Sequence, residues 1–360
     1  SRYVLGDKAA LHRLERLIHP AVRVARRNFL RRHRARPLVV LDIPLLYEKG
    51  HESGLDVVAV VSAPVWKQRR RVLARPGMSV AKLDHILALQ VPDHVKRQRA
   101  DHVIDTGVPG TMIDLIRDWD MLKPGLEAKA AAGGGIPLGS VKLEAPVQRP
   151  GKIFAIGLNY ADHIEESKMG TPERQVWFTK AQTSVNGPYD PILIARGAMT
   201  NDYEAELVAV IGKGGKHLSA VDAPAAVFGY CVGNDVTERM AQHATPQWSF
   251  GKSFDTHAPM GPWIVTADEL GDPHTLGIRC FVNGEKRQDS STRHLVFNVW
   301  QQVEHLSTGM TLEPGDCLFT GTPGGVGAAM DPRQFLKPGD VVRTEIDGLG
   351  HIEGTMAAEG

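Results

Sequence analysis

Asp202-Tyr203-Glu204-Ala205-Glu206-Leu207-Val208-Ala209-Val210-Ile211 is the stretch from which both the architecture and the chemistry of this chain can be read. It reads as a strand, in which alternate side chains share a face. Glu204 and Glu206 then point the same way out of a segment whose remainder is mostly apolar. Two adjacent carboxylates that lose hydration repel each other and stay ionised only beside a cation. The strand itself contains no Lys or Arg. A hard divalent cation held by oxygen ligands answers that need. The competing reading is a solvated edge strand with two exposed acids.

Outward from this strand, residues 137 onward are rich in short strands broken by Gly and Pro: Lys152–Ile156, Tyr203–Ile211, Gly229–Val232, Trp263–Val265, Leu276–Val282, Cys317–Thr320 and Asp340–Ile346. That rhythm predicts a sheet-built sandwich, barrel or roll. Met112 to Leu126 reads as a helix, and Ala128 to Gly135 as a linker-like loop. Three further elements carry possible chemistry. His163 and Glu166 stand three apart in a helical stretch, so a carboxylate shares a face with an imidazole, an arrangement suited to a general base and also common as surface decoration. Asp235 follows a short strand and can supply a third oxygen ligand; the bland alternative is a strand-end turn. Phe319 to Gly327 is a strand entering a Gly-rich loop that either presents backbone amides to an anion or makes a plain turn.

The composition is that of a globular protein, with 42% hydrophobic and 23% charged residues in 360. No apolar run reaches the length of a membrane span and no signal peptide is recognised. The three cysteines (Cys231, Cys280, Cys317) form no metal or disulfide pattern, and small buried residues are their expected role. A cytoplasmic location is the expectation. The chain opens at Ser1 without an initiator Met, which suggests a fragment or a processed product. Its net charge of +1 hides a split: 21 Lys+Arg against 10 Asp+Glu in residues 1–108, and 21 against 31 in the rest. The split predicts two segments of different origin, 1–108 and 111–360.

In the first segment, Leu11, Leu14, Ile18, Val22, Ala25 and Phe29 have helical spacing. Pro37 to Leu46 reads as a buried strand and Val57 to Ala63 as a second, in a parallel α/β pattern. The runs LERLIHPAV, RPLVVLDIPLLYE, VVSAPVWKQRRRVLARPGMS and KRQRADHVIDTG resemble dephospho-CoA kinase over roughly residues 3–107. By that resemblance Asp42 to Glu48 line the acceptor site, and Arg69, Arg71 and Arg75 belong to a lid over ATP phosphates. The family's Gly-rich phosphate loop is not found: Gly251-Lys252-Ser253 has Pro246 where the loop needs Gly. Phosphoryl transfer depends on that loop, so the expectation is a CoA- or nucleotide-binding module without kinase activity. No aromatic residues are interleaved through the arginines as a stacking platform, so no nucleic-acid partner is expected.

The second segment resembles the fumarylacetoacetate hydrolase family over roughly residues 111–357, through PGKIFAIGLNYADHIEE, WFTKAQTSVNGPYDPI, DYEAELVAVIGK, GYCVGNDVTER, GKSFDTHAPMGPWIV and LEPGDCLFTGTPGGVGAAMDP. The fold class implied for the whole chain is mixed: a partial P-loop-kinase-like α/β segment followed by a β-rich mixed β-roll. The resemblance also implies a homodimer and a Mg²⁺ or Mn²⁺ site (Ca²⁺ in a crystal) at Glu204, Glu206 and Asp235. It makes His163 with Glu166 the activator of water and Lys252 the stabiliser of developing negative charge. Arg239, Gln247 and Thr322 would contact the substrate, and Lys180 would line the same pocket. The implied substrates are 2-oxo acids with a second carbonyl. Hydrolysis of a carbon–carbon bond in a 3-acylpyruvate-like acid is the leading expectation. Oxaloacetate decarboxylation and keto–enol or double-bond isomerisation pass through the same enolate and are the alternative.

Overall fold

The computed structural model describes residues 8–48, 50, 52, 54–106, 110–167, 170 and 172–360. The chain divides into two compact units, Ser1–Val108 and Pro109–Gly360. No described helix is long and apolar enough to cross a membrane.

In the first unit the helical spacing at the start gives the helix Lys8–Arg32; the side chain of Leu11 lies outside the described residues. Two strands, Ala59–Ser62 and His102–Asp105, pair in parallel, with helices Val65–Leu73, Val80–Ala88 and Asp93–Arg99 between them. That is the expected α/β rhythm. The strand expected over Pro37 to Leu46 does not form: these residues are irregular or in turns, and Leu38 and Val40 are 77% and 75% exposed. The two described strands of this unit pair with each other and their outer edges take no described strand; with Leu38 and Val40 uncovered, the segment gains no burial to offset the entropy of ordering it. Lys96 pairs with Glu48 at 2.7 Å. Arg69 pairs with Asp84 at 2.7 Å. Arg71 Nη1 donates to Thr106 Oγ1 at 3.2 Å.

The second unit opens with two helices, Met112–Arg117 and Trp119–Ala131, where one was expected. Thr111 Oγ1 caps the first by accepting from Asp114 N at 3.1 Å. The second runs four residues, 128–131, into the expected linker, because alanine is the strongest helix former. Gly133 and Gly134, both at positive φ, end it. Beyond them lies a seven-stranded mixed sheet in the order Val176–Thr179, Ile153–Gly157, Cys317–Phe319, Ala205–Ile211, Val227–Asn234, Ala258–Thr266 and Val185–Asn186. A five-stranded sheet runs Glu285–Ser291, Gly277–Val282, Val341–Ile346, Gly350–Ala358 and Ile192–Ile194. Leu207, Ala209 and Ile211 pack with Tyr230 and Val232 and with Ile278, Val342 and Ile352 of the five-stranded sheet. Val208 and Val210 join a second cluster with Phe178, Cys231, Met260 and Phe319. The strand Ala205–Ile211 is therefore buried on both faces, as a near-continuous apolar run requires.

Register positions the site. Ala205 pairs with Asn234 and Glu206 with Gly233 in antiparallel fashion. One step further, the Asp235 amide donates to the Glu204 carbonyl at 2.9 Å. Gly233 is required opposite Glu206, since a Cβ there would stand 2.5 Å from Val208 and 2.7 Å from Phe319. Cys231, Cys280 and Cys317 are free and buried.

Candidate active site

Glu204, Glu206 and Asp235 converge: one carboxylate oxygen of each lies within 4.8 Å of the others, and all three residues are buried. The expected continuous strand is interrupted at Tyr203 and Glu204, so Glu204 sits at its mouth rather than within it. The solvated edge is excluded, since Glu206 is 1% and Asp235 0% exposed.

The cations missing from the strand come from elsewhere in the chain. Lys252 Nζ donates to Glu204 Oε2 at 2.7 Å and to Asp235 Oδ2 at 2.8 Å. Lys180 Nζ, fully buried, donates to Asp235 Oδ1 and to the Lys252 carbonyl. Arg239 Nη1 lies 2.6 Å from Glu204 Oε1 and donates to Gln242 Oε1 at 3.0 Å. Arg239 Nε donates to Asp202 Oδ2 at 2.9 Å. Its Nη2 is 2.8 Å from the same oxygen but makes no hydrogen bond.

Burial works against the Glu204 carboxylate, but Lys252 and Arg239 outweigh it and hold its pKa below the usual value. Burial pushes the Glu206 pKa well above the usual value, and Asp235 and Glu204 add to the rise. Burial also works against the Lys252 ammonium, yet Asp235 and Glu204 outweigh it and keep its pKa raised. For Lys180 burial wins over Asp235, and Lys252 adds repulsion, so its pKa is lowered. Four carboxylates (with Asp202) thus face two lysines and one arginine, leaving one negative charge to be neutralised by a proton or a metal. Three convergent hard oxygens with an uncompensated charge fit a divalent cation such as Mg²⁺ or Mn²⁺.

Above the triad lies a cavity of about 240 Å³ whose lining includes His163, Glu166, Glu204, Arg239, Lys252 and Thr322. His163 and Glu166 share the helix Ala161–Ser167 as expected. His163 Nδ1 is 3.5 Å from Glu166 Oε2, an ion-pair distance rather than a hydrogen bond. Both Glu166 oxygens accept from the Gly325 amide at 3.0 Å, so the Gly-rich loop anchors the carboxylate. The loop's amide thus serves a carboxylate of the chain itself. Thr322 Oγ1 accepts from Gln288 Nε2 at 2.9 Å.

Two expected pocket residues are placed otherwise. Lys180 lies beneath the cavity and supports Asp235. Gln247 is exposed and borders a different depression, with Trp177, Ser249 and His305. Conversely, sequence reasoning missed Asp202, Gln242, His243 and Trp248. Gln242 and His243 stand three and four residues after Arg239 on the helix Arg239–His243, a spacing that places all three on one face and was there to be read.

A family model described as fumarylacetoacetate (FAA) hydrolase C-terminal matches residues 152–357, and one described as dephospho-CoA kinase matches residues 1–109. The rat protein named oxaloacetate tautomerase Fahd2a, mitochondrial, is 43% identical over 253 residues, covering 70% of this chain and 81% of that protein. The solved structure of maleylpyruvate hydrolase from Sphingobium sp. SYK-6, in complex with manganese (II) ion and pyruvate, is 35% identical with a TM-score of 0.60, covering 69% of this chain and 86% of that one. The structure of 5-carboxymethyl-2-hydroxymuconate delta-isomerase from Mycobacterium smegmatis is 39% identical with a TM-score of 0.57, covering 63% and 86%.

Proposed function

The chain belongs to the fumarylacetoacetate hydrolase family, and on that premise we propose that it catalyses keto–enol tautomerisation of a short 2-oxo dicarboxylate such as oxaloacetate. The observation that carries this reading is the gathering of His163, Glu204, Arg239 and Lys252 around one small cavity. Its volume of about 240 Å³ lies below the usual range for drug-sized ligands and suits a compact acid. The sequence ranked carbon–carbon hydrolysis first. Similarity to a protein named as a tautomerase favours the alternative, which needs only a proton transfer.

Tautomerisation moves one proton from the carbon beside the 2-oxo group to its oxygen. His163 is the base: Nδ1 faces Glu166, which leaves Nε2 for the substrate, and the carboxylate steadies the imidazolium that forms. The same nitrogen returns the proton to the oxygen, so nothing is consumed. Thr322 holds the carboxylate beside the 2-oxo group, and Arg239 faces the other end of the substrate. The Lys252 ammonium offsets charge developing on the oxygen. Val326, Ala328, Ala329 and Trp248 line the cavity with apolar surface and limit water. A divalent cation held by Glu204, Glu206 and Asp235 would polarise the 2-oxo group. Lys180 keeps Asp235 in place.

The test follows the ultraviolet absorbance of the enol after oxaloacetate is added to the metal-supplied chain. His163→Ala should lower kcat by about 10²–10⁴-fold with metal binding retained, whereas Glu204→Ala should abolish metal binding itself. Ketonisation no faster than in buffer alone, with rapid cleavage of an acylpyruvate or decarboxylation of oxaloacetate, would overturn the reading.

A further inference from the structure

A 2-oxo dicarboxylate carries two anionic ends. The triad, Lys252 and Thr322 serve the 2-oxo acid end, and the other carboxylate needs a cationic or hydrogen-bonding partner of its own. The cationic groups on the cavity wall are largely committed: Lys252 to Glu204 and Asp235, Arg239 to Asp202 and Glu204, His163 to the proton transfer. His243 remains. It lines the same cavity, and no hydrogen bond or ion pair engages its imidazole among the described residues.

We propose that His243 determines specificity for dicarboxylates by donating a hydrogen bond from its protonated ring to the distal carboxylate, beside Arg239. The inference rests on the proposed 2-oxo dicarboxylate substrate. The helix Arg239–His243 brings Arg239, Gln242 and His243 to one side, so a carboxylate reaching His243 also meets the guanidinium. Gln242 steadies Arg239 through the 3.0 Å bond to Nη1.

The charges around His243 set its behaviour. Burial lowers its pKa, and Arg239 on its own helix, then Lys252 and Arg333, lower it further, while Glu204 opposes them. His163 and Glu166 complete the titratable lining of the cavity. Before substrate arrives the ring is mostly neutral at pH 7. An incoming carboxylate cancels part of the surrounding positive charge and favours the imidazolium. Binding of a dicarboxylate therefore takes up a proton, and affinity falls as pH rises through the pKa of the bound state.

The experiment uses the full chain and two non-tautomerising ligands that differ at the distal end, malate and 2-hydroxybutanoate. Calorimetry in buffers of different ionisation enthalpy counts protons taken up. Malate should bind with proton uptake and 2-hydroxybutanoate without it. His243→Gln should remove the uptake and weaken malate by about tenfold, one pKa unit's worth of interaction. His243→Lys should restore affinity with no pH dependence between about 5 and 8, since its charge is fixed there. With oxaloacetate as substrate, the effect of His243→Gln should fall on KM rather than kcat. Equal loss for both ligands, or malate binding and proton uptake indifferent to His243, overturns the subsite. His243-dependent malate binding in a chain that does not tautomerise oxaloacetate sustains the subsite and removes the proposed reaction instead.

Discussion

Replacing Asp202 by Asn changes one buried atom and should destabilise the second unit by about 3–5 kcal/mol, as losing one partner of a buried ion pair does. Asp202 is 0% exposed and saturated with donors. Oδ1 accepts from the amides of Tyr203 at 2.9 Å and Gly327 at 2.8 Å. Oδ2 accepts from the Ala328 amide and from Arg239 Nε, each at 2.9 Å. An Asn can keep its oxygen on the Oδ1 side, but its NH₂ then faces two donors. Two hydrogen bonds to a charged acceptor are lost at roughly 1.5–3 kcal/mol each, and the buried guanidinium keeps only Glu204 as a counter-charge. Urea unfolding followed by tryptophan fluorescence reads the result, because Trp66 alone among the six tryptophans lies outside the second unit. A double-mutant cycle with Arg239→Met isolates the shared term: in that background Asp202→Asn should cost about half as much, since only the Ala328 bond remains to be lost. A loss below about 1 kcal/mol in the wild-type background, or strict additivity in the cycle, would refute the claim that Asp202 locks Arg239 to the loop at Gly327.

Two further outcomes follow from local geometry. Gly325→Ala places a Cβ 2.1 Å from the Arg287 carbonyl at a φ of +100°, so the loop must shift and its amide must leave Glu166. The expected cost is about 1–3 kcal/mol, with kcat for tautomerisation falling as the carboxylate behind His163 loosens; unchanged kcat would separate Glu166 from the base. His257 is 0% exposed and bonds the Leu193 carbonyl at 2.9 Å. Burial, with a smaller push from Lys180 and a smaller opposing pull from that carbonyl, lowers its pKa to about 4. The folded pKa lies below the unfolded 6.5, so the unfolded chain binds the extra proton between these values. Stability should be retained above pH 6.5 and fall by about 3 kcal/mol as pH drops to 4 and below. A His257→Gln variant whose urea midpoint varies with pH as the wild type's does would contradict this.

Legibility in the sequence differed between the two units for a physical reason. In the second, the carboxylates of Glu204 and Glu206 could be aligned by a period of two, and His163 with Glu166 by a helical step of three, because both are local rules of backbone geometry. What neutralises the carboxylates was not local. Lys252, Lys180 and Arg239 reach them from other elements, and their assignment from sequence came only through resemblance. The same limit explains Gln247, where a motif-derived position did not reveal that the residue borders another depression. It explains Asp202 too, since acceptance of Gly327 and Ala328 amides depends on a loop 125 and 126 residues away.

The first unit shows the converse limit. Pro37 to Leu46 has the composition of a buried strand, and apolar composition states only what a segment gains if something covers it. Strand formation also requires backbone partners. Ala59–Ser62 pairs on one edge with His102–Asp105, and among the described residues no strand, the segment 37–46 included, takes its other edge. Leu38 and Val40 stay exposed although their residue types favour burial. The apolar run Ala205–Ile211 does form a strand, because Cys317–Phe319 and Val227–Asn234 flank it on both edges. The sequence pattern reports the demand for burial, and pairing across the sheet decides whether it is met.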